Sequence, residues 1–372
     1  MSLTIRQFPR LIFVCENTQG IDYATDYILG VVYENALTKM KAYHVANYIS
    51  IFGFLATILT NSFLIFLSLF HIKHIFGTYK NLIIIFSLLG ILFSAWDVII
   101  HPSVHNYNGA FMYFSLNTMF PNWILSFCIA CYSGFYSLIL AFIAVQFLYR
   151  YFSLTGSLWL KTFHGWDAVI WICFVMIPCA MFVIFDTALM APDEFADDYM
   201  RWEIFQIYER EIESVPRFVM VPWDGDDVRW KNMSFIFAIS SVMALELLII
   251  VHCAFRMAAE LKRQMNILSE RNRRLESQFF KALLAQTAFP TLLLALPTGP
   301  ILLLPLFDLK ISLQSGFLYS LFSLYPSIDS VAMMLIITEY RNRAGKVWRS
   351  CKKQPNNVTV PSINAPVSCT LV

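Results

Sequence analysis

The feature that most constrains this chain is a series of seven long stretches that contain neither lysine nor arginine. Each stretch spans 20 to 27 residues, and all 27 basic residues lie outside them. A helix of roughly 20 apolar residues is long enough to cross the hydrocarbon core of a bilayer. The sequence therefore predicts an all-α seven-transmembrane helix bundle with spans at 45–70, 81–100, 123–149, 168–190, 232–255, 282–306 and 314–338.

Composition supports a membrane protein and offers no catalytic motif. Hydrophobic residues make up 58% of the chain and charged residues 14%, whereas a typical soluble domain is about 25% charged. The sequence contains no Gly-rich phosphate loop and no GxSxG motif. His101 and His105 could share a metal on a helix, but Pro102 disfavours a helix there. We therefore expect no enzyme activity, cofactor, metal site or nucleic-acid partner.

The placement of basic residues predicts the orientation of the bundle. Of the 27 Lys and Arg residues, 17 lie in the odd-numbered connections and the C-terminal tail, and 6 lie in the even-numbered connections. Because positive charge marks the cytoplasmic side, the N-terminus is expected outside and the C-terminus inside. The predicted regions are an extracellular segment at 1–44, a seven-helix transmembrane domain at 45–338 and a cytoplasmic tail at 339–372.

Three segments outside the spans are informative. Segment 1–44 is compatible with an ordered extracellular cap, with disorder or with a misassigned start site. The long connection 191–231 carries 11 acids and 5 bases, which suits an exterior loop that covers a site, with a helix predicted near 198–213. The basic connection 256–281 has apolar residues at helical spacing, which predicts a cytoplasmic extension of the neighbouring helices.

Four acidic residues lie within the predicted spans. Asp97 and Asp186 are close to outer helix ends and are expected at the membrane interface. Glu246 and Asp329 lie roughly 21–22 Å below the outer ends of their helices at 1.5 Å per residue, where a charge is costly. Asn61 lies at a depth similar to that of Asp329. We therefore predict a hydrogen bond between Asn61 and Asp329, the alternative being that each bonds only to backbone.

Two further patterns carry a possible mechanism. Four prolines in span six predict a bend around Pro297, Thr298 and Gly299, which serves either shape or hinge motion. At the inner end of span three, Arg150 lies between two tyrosines, which is typical of a membrane-edge anchor. In the tail, Cys351 follows basic residues and is a candidate for palmitoylation beside an amphipathic helix.

Short motifs occur in a fixed order across nearly the whole membrane domain. They are GTYK at 77–80, HPSVH at 101–105, LYRYF at 148–152, QFFKALLAQTAFPTLLLALPTG at 278–299, LYPSID at 324–329 and TEYR at 338–341. In this order they resemble the nematode serpentine chemoreceptors of the Str type, a group that includes the diacetyl odorant receptor. One departure is Ser330, where the family usually has proline.

The resemblance implies an olfactory G-protein-coupled receptor in the ciliary plasma membrane of a chemosensory neuron, with a heterotrimeric G protein as its cytoplasmic partner. Residues expected to face the G protein are Tyr149, Arg150, Tyr151, Arg271, Arg273, Arg274 and Lys281. Residues expected to act in a conformational switch, from their depth or from the resemblance, are Asn61, Glu246, Pro297, Thr298, Gly299, Tyr325, Pro326 and Asp329.

A ligand cavity is expected between spans three, five, six and seven, toward their outer halves. The predicted lining residues are Trp123, Phe127, Tyr132, Phe235, Ser240, Thr298 and Tyr319. Because no lysine or arginine is available there, the sequence favours a small neutral ligand. The alternative function is a transporter or ligand-gated channel in which Glu246 and Asp329 serve as ion sites.

Overall fold

The computed structural model describes residues 44–72, 77–264, 269–307, 309 and 311–352. Within these residues, seven helices are long and apolar enough to cross a membrane, which confirms the predicted number. They are called spans one to seven and are His44–His71, Gly77–Ile100, Asn122–Thr155, Gly165–Leu189, Trp230–Gln264, Glu270–Leu306 and Leu318–Ile336. Most of the predicted N-terminal segment lies outside the described residues.

Span three is the central helix of the bundle and packs against spans two, four, five and six. Of its 34 residues, 17 are buried. It ends at Gly156, whose φ of 65° is left-handed and whose N–H bonds the carbonyl of Phe152. The peripheral spans instead expose large apolar side chains such as Leu59, Ile172 and Phe255, which suits helices that face hydrocarbon.

Span seven approaches spans one and two closely because glycines leave room for it. A Cβ atom on Gly53 would lie 2.1 Å from Oγ of Ser323, and one on Gly90 would lie 2.8 Å from Cβ of Pro326. The Thr57 hydroxyl also donates to the carbonyl of Ser323 at 3.1 Å. These contacts fix the position of span seven through steric fit and backbone hydrogen bonding.

One end of the bundle carries a four-stranded antiparallel sheet and is called the sheet end. The described residues form six strands, of which four make up this sheet. The six strands are β1 (Pro102–Tyr107), β2 (Ala110–Ser115), β3 (Arg217–Met220), β4 (Trp223–Asp224), β5 (Asp227–Val228) and β6 (Ser312–Gln314). The order is β3-β2-β1-β6, and β4 pairs separately with β5. The sheet therefore joins three connections that are far apart in sequence, after spans two, four and six.

The β1–β2 hairpin turns at Asn108 and Gly109, with Tyr107 opposite Ala110. Asn108 has a φ of 49°, and a two-residue Asn-Gly loop is the strongest short hairpin signal. Strand β6 lies at the end of the predicted connection 307–313, and only Gln314 falls within the predicted span seven, whose helix begins later, at Leu318.

A helix at Glu194–Tyr208, called the loop helix, packs on this sheet. It begins four residues earlier than the helix predicted near 198–213, because Asp193 caps it by accepting from the N–H of Ala196 at 3.0 Å. It also ends five residues earlier, directly before Glu209, whose φ of 52° is left-handed. Burial raises the pKa of Asp193, but this N–H and Arg229 outweigh burial and lower it overall. The apolar face of the loop helix and the sheet form a small separate core that includes Met112, Met200, Ile204 and Val219.

Spans six and seven are interrupted near the middle of the bundle. Span six changes from α-helix to π-helix at Thr291–Ala295, directly after Pro290, which lacks the N–H needed for regular α-helix. Span seven contains a 3₁₀ turn at Leu321–Leu324 before its main helix. The end of the bundle opposite the sheet is called the tail end, and a tail helix at Thr338–Lys352 starts there.

Candidate functional site

A largely apolar cavity of about 130 Å³ lies inside the sheet end. Side chains from spans three to seven line it, together with two residues of strand β2 and with Met190, which directly follows span four. The structure therefore adds span four and the sheet to the four spans predicted from sequence. Six aromatic residues contribute to its walls: Phe111, Tyr113, Tyr136, Phe182, Phe235 and Tyr319.

The predicted ligand-binding residues divide into two groups in the structure. Phe235, Thr298 and Tyr319 line the cavity. Tyr132 is buried outside it, and its hydroxyl donates to Asp97 at 2.7 Å. The other three, Trp123, Phe127 and Ser240, are exposed on outward-facing helix surfaces. They were predicted wrongly because long apolar helices give little periodic signal for their inner face.

Asp186 was expected at the membrane interface, but the structure buries it against the cavity. It is 2% exposed, and the Ser133 hydroxyl of span three donates to its carboxyl group. The Tyr136 hydroxyl, on the same helix, is buried and has no hydrogen-bond partner among the described residues. The polar side chains of the cavity lining are therefore these groups from spans three and four and the hydroxyls of Tyr113, Thr291, Thr298 and Tyr319.

Asp97 occupies a similar position on the other side of span three but does not line the cavity. It is 1% exposed, which also differs from the interface position expected from sequence. Its partner Tyr132 stacks on Phe93 with ring centroids 5.2 Å apart. Asp97 and Asp186 are thus two buried carboxyl groups, each held by a hydroxyl of span three, and only Asp186 lines the cavity.

Deeper in the bundle, the predicted hydrogen bond between Asn61 and Asp329 is absent. Asn61 does join spans one and seven, but it accepts from the Ser330 hydroxyl at 2.6 Å and donates to the Pro326 carbonyl at 3.2 Å. Asp329 lies on a neighbouring face of the helix and accepts from Nε2 of Gln286 in span six at 3.2 Å. The prediction was right about the helices and wrong about the partner.

The remaining switch candidates take three different positions. Glu246 accepts from the Ser137 hydroxyl at 2.7 Å, which joins spans five and three. Tyr325 is buried at the start of the main helix of span seven. Pro297, Thr298 and Gly299 lie in a regular α-helical segment, Leu296–Leu303. The irregular part of span six precedes them, so the bend predicted at these three residues is displaced toward Pro290.

At the tail end, Arg150 is buried and does not extend to the membrane edge as an anchor. It is 1% exposed, and its guanidinium lies 4.8 Å from the ring centroid of Tyr79 and 4.4 Å from that of Phe279. It pairs with Glu276 at the start of span six. Arg150, Glu276 and the two rings, called the tail-end lock, hold spans two, three and six together.

A second contact fixes span six at this end. Gln278 donates from Nε2 to the Thr338 hydroxyl at 2.7 Å and accepts from the Thr338 N–H at 3.0 Å. The start of the tail helix is thereby attached to span six. The tail end of span six thus makes polar contacts with span three and with the tail helix.

Comparison with known proteins gives the family of the chain. The family model for the serpentine type 7TM GPCR chemoreceptor Str matches residues 46–344. The chain belongs to the Str family. It is therefore a seven-transmembrane receptor of a chemoreceptor family and a multi-pass membrane protein, as the resemblance in its motifs predicts.

Individual relatives of this Str-family receptor are nematode receptors. A Caenorhabditis elegans protein named G-protein coupled receptor str-33 is 35% identical over 299 residues, covering 78% of this chain and 87% of that protein. Serpentine receptor class r-10 of Caenorhabditis briggsae is 27% identical over 319 residues, covering 83% and 91%. The Caenorhabditis elegans protein of the same name is 26% identical over 275 residues, covering 71% and 80%. These relatives are named as receptors and not as enzymes.

The other tail-end candidates of this Str-family receptor surround the lock. Tyr149 is buried and stacks on Tyr79 with centroids 6.0 Å apart, and Tyr151 is half-buried. The basic candidates lie on span six, where Arg271, Arg274 and Lys281 are exposed and Arg273 is half-buried. The side chain of Cys351 lies outside what the structure describes.

At the sheet end, His105 lies on strand β1 and is fully buried. Its Nε2 lies 3.1 Å from the Glu203 carboxyl group of the loop helix, which also accepts from Ser312 of β6 at 2.5 Å. These contacts join the three connections of the sheet. His101 is not part of this cluster, and no group of three metal-ligating side chains occurs within the described residues.

Proposed function

We propose that this receptor detects a small, largely apolar molecule in the sheet-end cavity and signals through a heterotrimeric G protein at the tail end. In this proposal the sheet end faces the outside and the tail end the cytoplasm, in agreement with the distribution of basic residues. The ciliary membrane of a chemosensory neuron is the proposed location, as the family resemblance implies.

The observation that carries the proposal is that one helix forms part of both sites. Span six contributes Pro290, Thr291, Leu294 and Thr298 to the cavity. The same helix carries Glu276 of the tail-end lock. The π-helical segment Thr291–Ala295, where the regular hydrogen-bonding pattern changes, itself lines the cavity, and regular α-helix connects it to Glu276. A displacement of span six at the cavity can therefore be transmitted to the lock.

The proposed mechanism is a shift between two positions of span six. A ligand that fits better when span six has moved away from the cavity favours that state. The movement separates Glu276 from Arg150 and Gln278 from Thr338, which opens a crevice beside Arg150. Basic residues at its edge then face the G protein, whose binding to the open state favours it further.

Asp329 supports a transmission role for the middle of the bundle. Gln286 of span six is its only described hydrogen-bond donor, and one oxygen of each group is buried without a partner. Leaving buried oxygens without hydrogen bonds is costly, so the present arrangement of the pair is not strongly favoured over others. The pair can therefore be rearranged with a small net change in free energy. We infer that this contact is exchanged when span six moves.

The test compares two glutamates in the first turns of span six. Glu276→Gln replaces the partly buried ion pair with Arg150 by a hydrogen bond between a neutral amide and the charged guanidinium. This weakens the closed state by about 1.4 kcal/mol, a roughly ten-fold shift toward the open state. We expect basal G-protein signalling in transfected cells, normalised to surface receptor, to rise accordingly. Glu270→Gln is the control, because its pair with Arg274 is solvent-exposed and worth at most about 0.5 kcal/mol.

Equal basal signalling by wild type and both variants, at equal surface levels, would contradict the role of the lock. Signalling is then measured for the wild-type receptor against a panel of small volatile molecules. A receptor that reaches the surface but activates no G protein with any of them contradicts the proposed function.

A further inference from the structure

The cavity contains an acidic group but no basic group among its described lining residues. Asp186 provides its only carboxyl group, and no lysine, arginine or histidine is present among the described lining residues. Asp186 also makes no ion pair with a basic residue in the described part of the chain. Its described side-chain partner is the neutral hydroxyl of Ser133.

A buried carboxylate with one neutral donor is poorly compensated, because its charge has been removed from water without an opposite charge nearby. A cation placed in the cavity would supply that charge. The described part of the chain offers no such cation there, so a ligand is the available source. Tyr136 adds to the cavity lining a hydroxyl oxygen without a hydrogen-bond partner among the described residues, which can accept a hydrogen bond from the ligand.

The walls of the cavity favour a cation as well. Aromatic ring faces attract ammonium groups when they are within about 6 Å, and the attraction is stronger where water is excluded. Tyr113 and Tyr319 lie next to each other, with ring centroids 6.3 Å apart, and Phe235 contributes from span five. An ammonium group beside Asp186 would therefore have both an opposite charge and aromatic neighbours.

The size of the cavity limits the rest of the ligand. Its volume of about 130 Å³ is close to that of an apolar cavity of about 150 Å³ that holds benzene. Within the function proposed above, on which this step rests, we propose that the ligand is a small protonated amine whose ammonium group binds Asp186 and whose hydrocarbon part fills the aromatic cavity. This revises the neutral ligand favoured by the sequence.

The test uses the purified full-length receptor in lipid nanodiscs and measures ligand-dependent thermal stabilisation, which requires no G protein. Matched probes are benzylamine with benzyl alcohol, cyclohexylamine with cyclohexanol, and the straight-chain amines from propylamine to octylamine. Alkylamines are protonated at neutral pH, as lysine is. At least one amine is expected to bind about 10- to 100-fold more tightly than its alcohol, the range for a hydrogen bond to a charged group.

Asp186→Asn should reduce the affinity for that amine by the same about 10- to 100-fold and leave the affinity for the alcohol nearly unchanged. Asp97→Asn is the matched control, because it removes the other buried carboxyl group beside span three and should leave amine binding intact. The comparison of amine with alcohol on the wild-type receptor decides the question even if Asp186→Asn does not fold.

Three results would overturn the proposal: no stabilisation by any amine, equal affinity for amine and alcohol, or amine binding that survives Asp186→Asn. Failure of the proposed function gives a different pattern. In that case an amine binds through Asp186, yet cells that express the receptor show no G-protein response to it. Conversely, G-protein responses to alcohols or ketones without responses to amines would contradict the proposed amine ligand but not the proposed receptor function.

Discussion

Spans three and six are similar in length but differ in how they are held. Span three is one uninterrupted helix with half of its residues buried. Span six has 37 residues, of which 8 are buried, and changes from α to π geometry near its middle. Span three contributes residues to the cavity and to the lock from a fixed position. Span six reaches the same two sites from the periphery.

The difference indicates a division of labour within the bundle. A helix with dense packing on several sides has few alternative positions of similar free energy. A helix with fewer buried residues and an irregular turn has more. We therefore expect substitutions in span three to change whether the receptor folds, and substitutions in span six to change how it signals.

The largest expected effect is at Gly134 of span three. A Cβ atom there would lie 3.0 Å from the carbonyl oxygen of Cys179 in span four, where backbone cannot move aside easily. Gly134→Leu should destabilise the receptor by more than about 3 kcal/mol and remove it from the cell surface, as measured by surface labelling.

Gly299 in span six provides the matched control. Apart from its chain neighbours and its own helix backbone, a Cβ atom at this position would meet no described atom within 4 Å. Gly299→Leu should preserve surface expression and can raise helix stability by up to about 1 kcal/mol, because glycine disfavours helix. If both glycine variants reach the surface equally, the contrast between the two helices is wrong.

An intermediate effect is expected where spans one and seven meet. Ser330→Ala leaves the Asn61 side-chain oxygen without its donor and should cost about 1–2 kcal/mol. A double-mutant cycle between Asn61 and Ser330, measured by thermal unfolding in nanodiscs, should give a coupling of at least about 0.5 kcal/mol. The cycle between Asn61 and Asp329 should be close to additive, and the opposite ranking would restore the pairing predicted from sequence.

The smallest effect on stability is expected at the interruption of span six. Pro290→Ala restores an N–H that can bond the Gln286 carbonyl and makes the helix more regular. The maximal ligand response, measured by G-protein activation, should fall about two-fold with little change in melting temperature, because the open state loses part of its advantage. Pro297→Ala should have less effect, and a larger effect at Pro297 would favour the bend predicted from sequence.

The seven spans could be predicted because hydropathy and charge placement depend on many residues at once. The hairpin was also encoded, since Asn108 and Gly109 lie between apolar and aromatic segments, a pattern that predicts a two-residue turn. Strand β6 was not predicted, because it has only three residues and its pairing partner β1 lies about two hundred residues earlier in the sequence.

Most of the cavity could not be predicted, for a rotational reason. Spans three, four and five are apolar around much of their circumference, so the sequence gives the depth of a residue but not the direction of its side chain. Phe235 was placed correctly, while Phe127 points outward and Asp186 points inward. The Asn61 pairing failed similarly, since Asp329 and Ser330 are adjacent in sequence but lie on different helix faces.

The sheet end has a consequence for handling the protein. The five cysteines whose side chains the structure describes are free and lie within spans. The described part of the four-stranded sheet therefore depends on backbone pairing, its small core and ion pairs such as Arg217 with Asp197. Reduction should therefore leave the described part of this end folded. Thiol reductants can be kept throughout purification, and production in a reducing environment should yield the same sheet.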